Sequence, residues 1–102
     1  MDIKYKNSDK SIIVYVSGEL DEYSSSTAKT LLDNLFDGIG NSKNVVFDLS
    51  NLTFMDSTGI GLLIGRYKKL SKIRVPTFIR GANPSIEKVL DLSGLYQIMP
   101  KI

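Results

Sequence analysis

Apolar and polar residues alternate from Ile3 to Lys6, the period of a half-buried strand. Asn7 to Lys10 is polar and turn-forming, and Ser11 to Ser17 is a β-branched run that reads as a buried strand. Together they predict a hairpin, ended by Gly18. Ser24 to Ser26 offer N-cap hydroxyls, after which Ala28, Leu31, Leu32, Leu35, Phe36 and Ile39 recur at helical spacing. Gly38 or Gly40 stops that helix. Asn44 to Leu49 is short and nearly all apolar, as in a central strand. Gly59 to Leu70 predicts a second helix with Ile60, Leu63, Ile64 and Tyr67 on its buried stripe. Arg74 to Arg80 reads as a strand, which Pro76 confines to an edge or an end. Asn83 and Pro84 suit the cap and first turn of a third helix, with Ile86, Val89 and Leu90 inward and Gly94 as its stop. Leu95 to Ile98 is expected to add a last short strand.

The predicted order is β-β-α-β-α-β-α-β. Strands separated by helices pair in parallel, and the hairpin adds an antiparallel pair. The fold class is α/β, a mixed sheet opening with a β-hairpin and covered by three to four helices. Function in such sheets gathers where strands end and helices begin. That directs attention to two segments read as loops, Gly18 to Ser25 and Asn51 to Gly59.

The chain has 102 residues, the size of one domain, and is expected to fold as a unit over residues 1–102. Its 42% apolar and 24% charged residues suit a globule rather than a disordered chain. Cysteine and histidine are absent, which excludes disulfides, thiolate nucleophiles, Ser-His-Asp triads and Cys/His zinc sites. No signal-peptide core precedes residue 30, and the longest aliphatic/aromatic run, Ile12 to Val16, is far short of a ~20-residue span. The expectation is a cytoplasmic protein with no membrane contact.

The net charge of +2 is uninformative, but its distribution is uneven: nine of eleven acids lie at or before Asp56. Between Ser57 and Ile86 there is no acid, while Arg66, Lys68, Lys69, Lys72, Arg74 and Arg80 all occur. That stretch predicts a basic face, either a solvated helix surface or a docking site for an acidic partner. No aromatic ladder or RNA-binding motif accompanies it, so no direct nucleic-acid partner is expected.

Asp56-Ser57-Thr58-Gly59 precedes the second helix. Structurally, Ser57 or Thr58 caps that helix, Asp56 complements its dipole and Gly59 gives the backbone room. Functionally, a hydroxyl at a helix start is a phosphoacceptor beside free N–H groups. The two readings are compatible. The Asp-Ser/Thr-Gly tripeptide of aspartic proteases does not match, because an extra residue intervenes and a helix follows. Glu19, Asp21 and Glu22 form either a solvated acidic loop or part of a metal or acid–base site, too close in sequence to complete a Mg²⁺ cage. Receiver domains also use acidic clusters, but a fivefold β/α alternation does not fit here. No Lys-Ser/Thr pair follows Gly65, so there is no Walker-type loop. Gly61 and Gly65 are expected to permit close packing on the sheet.

These residues together resemble the anti-sigma factor antagonists, a family with the STAS fold, most closely its sporulation type. The resemblance runs from Ile12 to Ile98. Its marks are Gly18-Glu19-Leu20-Asp21, Phe54-Met55-Asp56-Ser57-Thr58-Gly59-Ile60-Gly61, Gly65-Arg66-Tyr67-Lys68 and Ser93-Gly94-Leu95. It implies a switch without catalytic residues. The unphosphorylated form binds an anti-sigma factor that is also a serine kinase, and so frees the sigma factor. Phosphorylation of Ser57 turns binding off, and a serine phosphatase resets it. The implied partner-binding residues are Asp21, Asp56, Ser57, Thr58, Gly59 and Arg66. No metal or resident cofactor is implied; nucleotide binding, linked to some members, stays an open expectation. The oligomeric state implied is a monomer or weak dimer. Thr58 is a rival hydroxyl where relatives often have serine. A scaffold or ligand-sensing module, with Ser57 only a cap, is the alternative; a nucleotide hydrolase using Asp21 and Asp56 is a third reading.

Overall fold

The computed structural model describes residues 1–40 and 43–102. Its elements are strand β1 (Asp2–Asn7), strand β2 (Ser11–Leu20), helix α1 (Ser25–Phe36), strand β3 (Asn44–Asp48), strand β4 (Leu52–Met55), helix α2 (Ser57–Lys72), strand β5 (Thr77–Arg80), helix α3 (Pro84–Leu92) and helix α4 (Leu95–Ile98). The five strands form one mixed sheet ordered β1-β2-β3-β5, with β4 also paired to β2. The hairpin is antiparallel, and every other strand pair is parallel. Residues 11–15 of β2 pair with β3, and its far end, from Gly18, pairs with β4.

The crossovers through α1 and α2 both step across the sheet in the direction β2, β3, β5. Right-handed connections that step the same way put both helices on one face. Val14, Phe47 and Ile79 share one row of that face and are fully buried beneath Leu32 and Leu63. Ile86, Leu90, Leu95 and Met99 from α3 and α4 join the same core. Phe36 of α1 meets Phe47 edge to face, 6.2 Å between centroids. The opposite face carries the row Lys4, Tyr15, Asp48 and Arg80.

The structure departs from the sequence reading at several points. Leu95 to Ile98 is a helical turn, not a strand. Gly94 at φ 78° ends α3 and starts the turn, and Leu95 and Met99, four apart, both point into the core. Strand pairing falls to the next residues instead: the Ile79 N–H donates to Pro100 and Ile79 accepts from the Ile102 N–H. Leu52 to Met55 is a strand within what read as a loop. Its register shifts opposite Gly18 and Glu19, so Leu52 and Met55 are buried while Thr53 and Phe54 are both exposed, which hides the period of two. Gly18, at φ 82°, lies opposite a bulge at Thr53 of β4 and does not end β2. Leu31 (43% exposed) and Val89 (38%) are not core residues. A Cβ at Gly61 or Gly65 would meet nothing within 4 Å, so neither glycine is there for close packing.

The six cations do not form one face. Lys68, Lys69 and Lys72 on α2 and Arg74 just after it are exposed, Arg66 and Lys69 turn to Asp33 of α1, and Arg80 pairs with Asp48 across the sheet.

Candidate functional site

The C-terminal ends of β2 and β4, the turn from β2 into α1 and the start of α2 meet at one end of the molecule. Asp56 links them. It is extended (φ −107°, ψ −172°) at the N-cap of α2. Its Oδ1 accepts from the Thr58 and Gly59 N–H groups at 2.9 and 3.1 Å. Its Oδ2 accepts from the Glu22 N–H at 3.3 Å. The cap is therefore the carboxylate, not the Ser57 or Thr58 hydroxyl. Both hydroxyl residues are exposed, with Ser57 the first residue of the helix.

Gly59 is fixed by contact. A Cβ there would lie 2.6 Å from the Leu20 carbonyl oxygen and 2.8 Å from Met55 Cγ, so α2 starts hard against β2 and β4. Asp21 shapes the neighbouring turn. Its Oδ1 accepts from the N–H groups of Tyr23 and Ser24 at 2.9 and 3.0 Å, an Asx turn. Ser24 is the N-cap residue of α1 but makes no side-chain cap; its hydroxyl donates to the Glu19 carbonyl at 2.9 Å. Glu19 and Glu22 are exposed, and among the described residues no three carboxylates gather where they would hold one metal ion.

The structure thus brings Asp21, Asp56, Ser57, Thr58 and Gly59 together. Arg66 lies nine residues along α2, about 13 Å of helix from Ser57. Its side chain is 11% exposed and its Nη1 is 3.3 Å from Asp33 Oδ1. Nη1 and Nε have no aligned hydrogen-bond acceptor among the described residues, so the contact is ionic, bracing α2 against α1. Asn83 does more than the predicted cap. Its Oδ1 accepts from the Ile86 N–H, and its Nδ2 donates to the Leu52 carbonyl, tying α3 to β4. The Asn-Pro pair signals the cap, but nothing in the sequence signals the second bond, because β4 was not visible as a strand.

A family model described as the STAS domain matches residues 2–102. A curated relative from Paenibacillus polymyxa, named anti-sigma F factor antagonist, is 37% identical over 89 residues, 87% of this chain and 75% of its own length. One from Staphylococcus aureus, named anti-sigma-B factor antagonist, is 31% identical over 100 residues, 97% of this chain and 90% of its own. Among solved structures, unphosphorylated SpoIIAA, an anti-sigma factor antagonist, matches at a TM-score of 0.77 and 24% identity, covering 99% of this chain and 88% of that one. A putative anti-sigma factor antagonist from Thermotoga maritima matches at 0.86 and 24%, covering 97% and 84%.

Proposed function

Because the chain belongs to the STAS domain family, we propose that it is an anti-sigma factor antagonist, a single regulatory domain over residues 1–102 that acts in the cytoplasm. Its unphosphorylated form binds an anti-sigma factor with serine kinase activity and releases the sigma factor. Phosphorylation of Ser57 stops that binding, and a phosphatase restores it. The names of the relatives support the antagonist class. The observation that carries the switch is the exposed Ser57 hydroxyl at the start of α2, next to a carboxylate that already occupies the helix N–H groups.

That occupancy sets the mechanism. A phosphate on Ser57 adds a charge of roughly −1.5 to −2. The helix end offsets only ~0.3–1 kcal/mol for an exposed anion. Asp56 holds the N–H groups of Thr58 and Gly59, so those two are not free for the phosphate. The dianion stays on the surface, the fold is unchanged, and a docked partner must desolvate it beside Asp56. A thousandfold loss of affinity needs ~4 kcal/mol, within reach of one buried, unpaired charge. Asp21, Asp56 and Thr58 belong to the same docking surface, and Gly59, buried against Leu20 and Met55, seats the helix start beneath it. Arg66 supports it from behind through Asp33.

The test is intact mass after incubation with ATP and the anti-sigma factor kinase. Wild type is expected to gain one phosphate and Ser57→Ala none. Ser57→Asp is expected to lose partner affinity with native circular dichroism. A phosphate on Ser57→Ala moves the acceptor to Thr58 or elsewhere, and unchanged binding by Ser57→Asp refutes the switch.

A further inference from the structure

Two aromatic rings stand in solvent beside Ser57. Tyr23 is 86% exposed and Phe54 is 48% exposed, whereas the other three phenylalanines are buried or half-buried. Each stands on ordered backbone. The Tyr23 N–H is held by Asp21 Oδ1, and the N–H of Glu22 just before it by Asp56 Oδ2, so a fixed turn presents the ring. Phe54 is turned outward by the register shift of β4, between Thr53 and the buried Met55, three residues before Ser57. Ordered backbone under an exposed aromatic ring lowers the entropy lost on docking. Buried aromatics are the commonest anchors of interfaces.

The side chains of β2, β4, the β2–α1 turn and the start of α2 around them carry charge of one sign. Glu19 stands opposite Phe54 in the parallel β2–β4 register, on strands ~4.8 Å apart. Asp21, Glu22 and Asp56 complete the group. No Lys or Arg occurs in residues 11–28 or 44–65, which supply most of this end, while the Met1 backbone nitrogen packs against Gly18. Two copies meeting here would set carboxylates against carboxylates, and a nucleic acid would be repelled.

We propose that Tyr23 and Phe54 are the apolar anchors of the docking surface, and that the partner meets them with apolar pockets rimmed by Arg or Lys facing Glu19 and Glu22. This rests on the reading of Ser57 as the kinase's acceptor. The basic groups belong at the rim. Opposite Ser57 itself a kinase holds nucleotide phosphates, so a phosphate there meets like charge while the rim pairs stay attractive.

Affinity for the purified anti-sigma factor kinase, with ADP present, tests this by surface plasmon resonance. Tyr23→Ala and Phe54→Ala are each expected to weaken binding at least tenfold, with native circular dichroism and melting. The double reversal Glu19→Lys/Glu22→Lys is expected to slow association about tenfold at low salt and less at high salt. Leu92→Ala, an equally bare apolar residue on α3 (79% exposed), is expected to bind within twofold of wild type. Ser57→Asp is the reference. If it abolishes binding while both aromatic variants bind within twofold, the anchors are elsewhere and this inference falls alone. If Ser57→Asp binds normally, the reading of Ser57 falls and takes this one with it.

Discussion

Asp56 is asked to do two things, and two substitutions separate them. Asp56→Ala removes the cap of α2 and the tether to the β2–α1 turn. The two bonds to Oδ1 form an N-cap, typically worth ~1 kcal/mol. The bond from the Glu22 N–H to Oδ2, long and exposed at 3.3 Å, adds ~0.5–1 kcal/mol. The expected loss is about 2 kcal/mol. At ~4–8 °C per kcal/mol for a domain of this size, melting falls by about 10 °C. Asp56→Asn keeps an oxygen for Thr58 and Gly59, since asparagine caps as well as aspartate. It sets an amide N–H₂ toward the Glu22 N–H, so it loses the tether alone and melts between wild type and Asp56→Ala. Thermal and urea unfolding by circular dichroism read both. Asp56→Ala melting within 2 °C of wild type refutes the cap as the fastener of this end. Asp56→Asn melting below Asp56→Ala refutes the division between cap and tether.

Gly59→Ala is expected to cost about 1–3 kcal/mol in urea unfolding, because its Cβ strikes the Leu20 carbonyl and Met55. Gly61→Ala and Gly65→Ala, on the same helix with open space above them, are expected to stabilise by ~0.5–1 kcal/mol each, so opposite signs along α2 check the contact geometry. Burial alone would raise the Asp48 pKa, but hydrogen bonds from Ser50 and Arg80 outweigh it and hold the carboxyl below its ordinary value. Its contribution is then present above the unfolded pKa of ~3.9 and lost as pH falls below that toward the folded value, so unfolding midpoints between pH 5 and pH 2.5 should drop less steeply in Asp48→Asn.

The hairpin, α1, β3, α2 and α3 were legible because each has a clean period or a run of β-branched residues. What was not legible lies where tertiary geometry overrides period. β4 buries residues three apart, Leu52 and Met55, a spacing that belongs to a helix face and not to a strand. Its bulge answers Gly18, a residue that by itself signals a stop. Leu95 to Ile98 has the length of a strand, and only Gly94 in a left-handed conformation turns it into a helical turn. At the candidate site, Asp56, Ser57 and Thr58 are all cap formers in a row. The extended backbone at Asp56 selects the carboxylate, and that backbone follows from β4, which the sequence hid. Arg66 read as a surface cation because its distance from Ser57 and the position of Asp33 both depend on how α1 and α2 pack.

The identity of the cap bears on how such a switch works. Had the Ser57 hydroxyl capped α2, phosphorylating it would alter the helix start, and binding and folding would be coupled. With Asp56 in that place, the hydroxyl is free of the fold. In the switch proposed above, it is modified and restored without the helix fraying at each cycle. The same carboxylate is fixed by its backbone bonds, so it cannot swing away from a new phosphate on the next residue. On that proposal, the cap that makes the modification harmless to the fold also keeps the added charge exposed, where only an incoming partner has to desolvate it.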